Sequence, residues 1–326
     1  MELFLGIDTS CYTTSLAVVD GEGNLISDVR RILNVRSGER GLAQNEAVFQ
    51  HINNLPSLFQ RVLSDNSTFA GVAASICPRP VKGSYMPVFK VAESYGHSIA
   101  AILNVPFTGV SHQEGHLAAG IMSAGGPQSG EFMAVHLSGG TTELLRVKNG
   151  IRPDEPYYSV AVMGGTNDIH AGQFIDRVGV KLGLPFPAGP HLEVLAAKAK
   201  GEISVPSSVN GYAISFSGPE AAALRLIESR VSPVEIARAV EKCVVNTMEK
   251  IIRKALWESG LKDVLFVGGV SANRYIRDRL VERLQHREVR AKVYFASREL
   301  SGDNAAGVAL LGMSRIKSIS FTKALR

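Results

Sequence analysis

Phe132-Met133-Ala134-Val135-His136-Leu137-Ser138-Gly139-Gly140-Thr141-Thr142-Glu143-Leu144-Leu145-Arg146-Val147 reads as strand, tight turn, strand. Phe132 to Leu137 and Glu143 to Val147 are the apolar runs. The turn between them carries two glycines and three hydroxyls. A plain hairpin turn needs only one or two such residues, and remains the simpler alternative. Two consecutive glycines let the backbone approach a phosphate, and the flanking hydroxyls can donate to it. The chain opens on the same pattern. Leu3 to Asp8, Thr14 to Val19 and Leu25 to Arg30 are predicted strands, with Gly21-Glu22-Gly23-Asn24 as the turn between the last two. Two such hairpins, one opening each half, point to a duplicated α/β architecture. The Ser123 to Gly130 stretch, with Gly125-Gly126-Pro127 in it, is the expected join.

Between the hairpins, apolar spacing predicts a helix over Glu46–Leu63, a strand over Gly71–Ile76 and a helix over Val88–Leu103. Cys77-Pro78-Arg79-Pro80 is expected as a loop. Pro106 to Val110 is a strand leading into Ser111-His112-Gln113-Glu114-Gly115-His116. In the second half, helices are expected over Ala171–Leu182 and Pro233–Ser259, the latter capped by Ser232. A Pro/Gly loop covers Leu184–Pro190, Val264 to Val267 is a strand, and Ala272–Leu284 and Ala305–Arg315 are helices. The tail Ile316–Arg326 is basic.

The 326 residues allow one large domain or two lobes of roughly 100–200 residues each. Hydrophobic residues make up 45% of the chain, enough for a sizeable core. No apolar run approaches the roughly 20 residues needed to span a bilayer, so no membrane role is expected. The N-terminus reads as a first strand, not a signal peptide. Three widely spaced cysteines, Cys11, Cys77 and Cys243, without a C-x-x-C favour a reducing cytoplasm. The net charge of +5 is compatible with a polyanionic partner without demanding one.

His112 and His116 stand four residues apart, so on a helix both rings reach one ion. A carboxylate from the distant Ser301-Gly302-Asp303-Asn304 would complete a 2-His-1-carboxylate site. The plainer reading is two histidines at the mouth of an ordinary helix. This is not the zincin H-E-x-x-H, because Glu114 lies out of register and Gly115 is expected to interrupt the helix. Asp8-Thr9-Ser10, at the end of the first strand, suits a nucleotide or metal site, although a polar turn would look the same. Val267-Gly268-Gly269-Val270-Ser271-Ala272-Asn273-Arg274 is strand, diglycine, helix start. It either leaves helix N–H groups and room for a flat ring, or is a close packing turn.

Diglycine or hydroxyl-rich turns at strand ends in two similar halves resemble the superfamily of actin, the sugar kinases and the heat-shock chaperone ATPases. Within it, the residues resemble the TsaD/Gcp family of tRNA N(6)-adenosine threonylcarbamoyltransferases, formerly called glycoproteases. The likeness is carried by Gly6-Ile7-Asp8-Thr9-Ser10-Cys11, His112 with His116, Ser138-Gly139-Gly140 and Phe174-Ile175-Asp176-Arg177. It continues in Leu182-Gly183-Leu184, Pro187-Ala188-Gly189-Pro190 and Ser215-Phe216-Ser217-Gly218. Gly268-Gly269-Val270-Ser271-Ala272-Asn273-Arg274 and Gly302-Asp303-Asn304-Ala305-Ala306 complete it.

The resemblance implies two ribonuclease-H-like lobes with a nucleotide cleft between them. The lobes would be 1–125, completed by the last helix near 303–320, and 126–302. It implies iron or zinc on His112, His116 and Asp303; Asp8 and Ser10, from the turn after the first strand, are the expected catalytic groups. Nucleotide contacts fall on Ser138, Gly139, Gly140, Thr141, Asp176, Gly189, Gly269, Asn273 and Asp303. The ligand would be ATP or threonylcarbamoyl-adenylate, with Mg, and the acceptor a tRNA adenosine beside the anticodon. A shorter helper of the same fold and an ATPase partner are the implied assemblies; a homodimer is a separate possibility that the sequence does not decide.

The chain departs from the family pattern on the acceptor side. Tyr12-Thr13 stands for an acidic pair, Cys77–Gly83 for a Gly-Pro-Gly loop, Thr141 for a histidine and Gln173 for an acid. These changes fit a diverged paralog. Transfer to tRNA therefore stands beside a non-catalytic nucleotide-binding scaffold and a carbamoyltransferase with a small-molecule acceptor. A metallopeptidase lacks a positioned base. Arg79 and Lys82, extended by Arg36 and Arg40, form an expected basic rim.

Overall fold

The computed structural model describes residues 2–35, 42–62, 68–150 and 156–317. Arg36, Arg40, Leu63 and most of the basic tail lie outside them. In chain order, β1 (Leu3–Thr9), β2 (Thr13–Asp20) and β3 (Leu25–Ile32) lead into α1 (Gln44–Val62). Then come β4 (Phe69–Cys77), α2 (Phe89–Leu103), β5 (Phe107–Ser111) and α3 (His112–Ala124). Strands β6 (Glu131–Leu137), β7 (Thr142–Asn149) and β8 (Tyr158–Thr166) are followed by α4 (Ala171–Lys181) and α5 (Gly189–Ala196). Short β9 (Ser208–Asn210) and β10 (Ala213–Ser215) precede α6 (Ser217–Glu228) and the long α7 (Pro233–Ser259). The chain continues through β11 (Asp263–Val267), a 3-10 turn at Gly269–Ala272, α8 (Arg274–Leu284), β12 (Lys292–Phe295), α9 (Arg298–Ser301) and α10 (Ala306–Ile316). No described helix is long and apolar enough to cross a membrane.

The chain divides into two compact units. The first takes Met1–Gln128, Asn149–Ser159 and Asp303–Arg326; the second takes Ser129–Lys148 and Val160–Gly302.

Among the described residues, the first unit builds a five-stranded sheet ordered β3-β2-β1-β4-β5. β1, β2 and β3 are an antiparallel meander, and β1, β4 and β5 run parallel. Every residue of β1 and β2 is buried, which calls for cover on both faces of the sheet. The period of two supplies it. Leu3, Leu5 and Ile7 join Leu55 and Leu58 of α1 and Val91 and Ala92 of α2 in one core. Gly6, pointing the other way, lies against Ala305, the N-cap of α10, and Ala309 within it.

α10 also crosses α3 at glycine on glycine. A Cβ at Gly307 would stand 1.9 Å from the Gly115 carbonyl oxygen and 2.8 Å from Ala119 N. Gly115 thus serves the crossing and does not interrupt the helix, which runs unbroken from His112 to Ala124.

The second unit's sheet has the order β12-β11-β6-β7-β8-β10-β9 among the described residues. Read from β8 through β7, β6 and β11 to β12, it repeats the first sheet, with the β9–β10 pair added at one edge. β6 pairs antiparallel with β7 and parallel with β11. The C-terminal ends of β6 and β11 therefore lie side by side, with Val267 opposite His136. In α/β sheets ligands gather at that end.

Several predicted boundaries shift. The Leu184–Pro190 loop ends in the first turn of α5, which starts at Gly189 with Pro190 in it. The helix expected from Ala272 opens with the 3-10 turn and is capped by Asn273. Ser232 stands at the cap of α7, but its side chain makes no capping hydrogen bond.

Candidate functional site

In the first unit, α3 begins directly at the end of β5, and a capping box sets its first turn. Ser111 Oγ accepts from Glu114 N at 3.2 Å, and Glu114 Oε2 accepts from Ser111 N at 2.9 Å. Glu114 Oε1 accepts from Tyr157 N at 2.8 Å. Glu114 is buried with both oxygens engaged, so it is not a peptidase base. Its capping role aims the two rings from one helix face.

His112 Nε2 and His116 Nε2 face each other at 3.1 Å. Asp303 Oδ1 lies 3.6 Å from the first and 3.3 Å from the second. With metal–ligand bonds of about 2.0–2.1 Å, tetrahedral donor atoms stand roughly 3.3–3.4 Å apart. The three separations bracket that value, so the donor set fits one divalent cation. Among the described residues these three are the group that meets metal-ligand spacing.

The supports are as specific as the ligands. Asp8 is fully buried, and its Oδ1 accepts from His112 Nδ1 at 2.9 Å. A proton kept on Nδ1 leaves the Nε2 lone pair for a cation. Asp8 Oδ2 is buried with no hydrogen-bond partner among the described residues. Ser10 Oγ donates to Asp303 Oδ2 at 2.6 Å, which leaves Oδ1 facing the histidines. Asn304 Oδ1 accepts from Ala306 N at 3.0 Å, fixing the turn from which Asp303 projects. Burial opposes a charge on His112, but Asp8 and Asp303 outweigh it and hold its pKa well above the imidazole range. Burial also pushes Asp303 up, yet its hydrogen bonds with His112 and His116 hold it well below the carboxylate range. Negative charge around two close imidazoles favours a cation at their centre. Asp8 and Ser10, expected as catalytic groups, both face these ligands.

Asp8→Asn removes the carboxylate acceptor behind His112 while keeping size. It is expected to weaken zinc binding by about 10–100-fold in chelator competition. Unchanged affinity would show that His112 needs no such support.

Sequence reasoning missed His51. Its Nε2 donates to the Ser10 carbonyl at 2.8 Å and its Nδ1 accepts from Thr14 Oγ1 at 2.8 Å. Burial lowers its pKa, so it stays neutral and pins the Ser10 backbone. One histidine in an amphipathic helix gives no local sign of this.

The second unit carries the expected nucleotide positions. Ser138 N donates to Thr141 O at 2.8 Å, and Ser138 Oγ accepts from Thr141 N at 3.0 Å and Gly140 N at 3.2 Å. Ser138 and Thr141 thus shape the turn. A Cβ at Gly139 or Gly140 would meet nothing within 4 Å, so the turn is open to an approaching group. α4 closes behind it: Gly172 N donates to Ser138 O at 3.1 Å and Ala171 N to Thr142 Oγ1 at 2.8 Å.

Gly268 has φ +93°, and a Cβ there would stand 2.3 Å from Leu137 O, so the two loops abut through it. Gly269 is open. Asn273 Oδ1 caps α8 at Ile276 N (2.9 Å), and its Nδ2 donates to Glu241 at 2.7 Å. Asp176 Oδ1 accepts from Ala188 N at 2.7 Å, fixing the start of α5 at Gly189. Burial raises its pKa, and the Ala188 and Gly189 N–H groups pull it down. Asp176→Ala should therefore lower stability by about 1–2 kcal/mol in chemical denaturation, in addition to any loss of adenosine affinity. An unchanged midpoint would remove the loop-holding role. Asp168, also missed, accepts from Thr166 Oγ1, Ser215 Oγ and Ser217 Oγ, and these contacts hold it well below the carboxylate range despite burial.

Sheet order, duplication and the loops at the strand ends define an actin-like ATPase fold. Component A of the (R)-2-hydroxyglutaryl-CoA dehydratase of Acidaminococcus fermentans matches with a TM-score of 0.58 at 16% identity, over 97% of this chain and 100% of that one. A ROK family glucokinase from Streptomyces griseus matches with 0.52 at 12% identity, over 95% and 99%. These likenesses show the fold alone. The family model for TsaD, the tRNA N6-adenosine threonylcarbamoyltransferases, matches residues 31–310, and the chain belongs to that family. A probable bifunctional tRNA threonylcarbamoyladenosine biosynthesis protein of Methanothermobacter thermautotrophicus is 31% identical over 312 residues. That match covers 95% of this chain, which spans about half (55%) of the relative's length.

Proposed function

We propose that the chain transfers a threonylcarbamoyl group from threonylcarbamoyl-adenylate to the adenosine beside the anticodon of a tRNA. His112, His116 and Asp303 hold a divalent cation, iron or zinc. The Ser138–Thr141 turn, the Asp176–Gly189 corner and the Gly269–Asn273 loop take the adenylate, or ATP with Mg. The observation that carries this reading is the convergence of the three donor atoms at coordination spacing, in a member of the TsaD family. When bound, the cation supplies Lewis-acid polarisation of a donor oxygen. Asp8 keeps the proton on His112 Nδ1, and Ser10 orients Asp303.

The acceptor side belongs to the Cys77–Phe89 segment. Pro78 O accepts from Gln113 N at 3.0 Å, between the two histidines in sequence, and Phe89 packs on the His112 ring at 5.5 Å. Met86 Sδ lies 3.3 Å from Cys11 Sγ. Both ends of the segment thus flank the triad, and the exposed tip between them carries Arg79 and Lys82. If these cations meet RNA phosphates, Arg79→Ala/Lys82→Ala lowers the slope of log affinity against log salt by roughly 1.5–2 while nucleotide affinity holds. An unchanged slope would make the tip an ordinary solvated loop.

One observation favours a second reading. Where the family pattern has acids, Tyr12 O accepts from Leu33 N at 2.8 Å and Thr13 is buried at the start of β2, so neither position offers a carboxylate. A changed acceptor, or a scaffold without transfer, fits that. The deciding experiment incubates the protein with the adenylate-forming enzyme, threonine, bicarbonate, ATP and bulk tRNA. A same-fold helper and an ATPase partner are added in one arm. Nucleosides are then analysed by mass spectrometry. Threonylcarbamoyl-adenosine in tRNA supports the transferase. Adenylate consumption without it supports a small acceptor, and neither supports the scaffold.

A further inference from the structure

Behind the Gly269–Asn273 loop of the second unit lies a buried charge that none of the roles above uses. Glu241, in the first half of α7, has no exposed surface. Its Oε1 accepts from Asn273 Nδ2 at 2.7 Å and its Oε2 from Arg238 Nη1 at 2.6 Å. Arg238 is itself fixed: Nη2 donates to Ala196 O at 2.9 Å, and the guanidinium lies 3.7 Å above the Tyr275 ring. A buried carboxylate is costly even when paired, so packing alone does not account for it.

Its hydrogen-bonding character does. A carboxylate only accepts, whereas a carboxamide can present either end. Facing Glu241, Asn273 must turn its NH2 toward α7. Oδ1 is then left for Ile276 N, the N-cap of α8. The same residue closes the 3-10 turn, where Asn273 N donates to Val270 O at 3.2 Å. The orientation of one amide therefore decides whether the loop and α8 are joined by a good cap or by two opposed acceptors.

We propose that Glu241 is a positioning residue for the adenosine-side loop: its acceptor-only side chain selects the Asn273 amide orientation that caps α8, and so sets the Gly268–Asn273 backbone for a purine nucleotide. This rests on the reading of that loop as nucleotide-binding. The groups facing Glu241 are Asn273, Arg238 on its own helix and Glu193 on α5. Burial pushes its carboxyl up and Glu193 adds to this, Asn273 and Arg238 pull it down, and the net position is raised to about 7. Acidification through neutrality therefore adds a proton where Asn273 already donates.

The test is an exchange of partners. Asn273→Asp sets two carboxylates against each other. It is expected to weaken binding of a non-hydrolysable ATP analogue roughly tenfold or more. Glu241→Gln combined with Asn273→Asp restores the pair with donor and acceptor reversed. The NH2 of the new carboxamide on α7 would donate to the new carboxylate, and the carboxamide oxygen would accept from Arg238. The second carboxylate oxygen would cap α8. The double variant should return to within about threefold of wild type. If Asn273 instead reads the base through its NH2, the double variant stays as weak as Asn273→Asp, and the proposal is overturned.

The pH profile separates positioning from packing. Wild-type affinity should fall more steeply than that of Glu241→Gln as pH drops from about 8 to about 6, the ligand's own phosphate titration being common to both. Equal slopes would also overturn the proposal. Should wild type bind no adenine nucleotide, the nucleotide reading fails. The amide selection is then decided by hydrogen exchange at the Ile276 N–H, where the same loss and rescue are expected and a missing rescue refutes it.

Discussion

His116→Ala is expected to abolish metal binding at the proposed site and, if the chain carries out the proposed threonylcarbamoyl transfer, to lower it by on the order of 10³-fold, several kcal/mol of barrier. The ring is buried, its Nε2 stands 3.1 Å from His112 Nε2 and 3.3 Å from Asp303 Oδ1, and no neighbouring side chain among the described residues completes a second set of three donors. Metal would be counted per chain by elemental mass spectrometry after loading with zinc or iron. Truncation leaves a small buried void, so His116→Gln, closer in size, guards against a folding artefact. Full metal content in both variants would sink the assignment of His116 as a ligand. Glu114→Gln separates the helix cap from the chemistry. It should keep the metal, because Glu114 turns to Ser111 and Tyr157, not to the rings.

Gly307→Ala should be the most damaging single-methyl change in the first unit. The added carbon would sit 1.9 Å from a backbone oxygen of α3, and backbone cannot swing aside as a flexible side chain can. Overpacking of this kind typically costs about 1–3 kcal/mol and occasionally more, and the upper end is expected here. Because Asp303 lies just ahead of α10, metal content should fall with stability. Gly139→Ala, where a methyl meets nothing, is the matched control and should leave the unfolding midpoint unchanged. A normal midpoint and metal content in Gly307→Ala would mean that α3 and α10 separate without penalty.

The sequence discloses those parts of this molecule whose causes are local. α7 runs from Pro233 to Ser259 as its periodicity, the proline in its first turn and Gly260 after it require. The hairpins at both strand-turn-strand openings form where their turn residues place them. The capping box that overturns the broken-helix expectation is equally local, in Ser111 and Glu114, but Gly115 reads as a breaker because its reason lies 192 positions away at Gly307. β8, with its Gly164-Gly165, and the three-residue β9 and β10 carry too little alternation to be seen. α5 hides inside a Pro/Gly run although Gly189-Pro190 is a fair helix start. At the site, the histidine pair is legible from spacing. Asp303 enters through family resemblance, since no periodicity links it to His112. Asp8 facing His112, His51 behind Ser10, and Glu241 behind Asn273 are long-range pairings that only the fold can make.

The wide chain separation of the triad's parts has a consequence in time. Ser10 and Asp303 are 293 positions apart, yet one hydrogen bond joins them. During synthesis β1, β2, β4 and both histidines emerge early, while α10, which covers Gly6 and crosses Gly115, emerges late. Until then one face of the first sheet stays open and two ligands wait for their third. An ion held by all three ligands therefore arrives only after the whole stretch from Ser10 to Asp303 has been made. That ion would then act as a clasp on a very long loop, where a cross-link restrains the unfolded chain most.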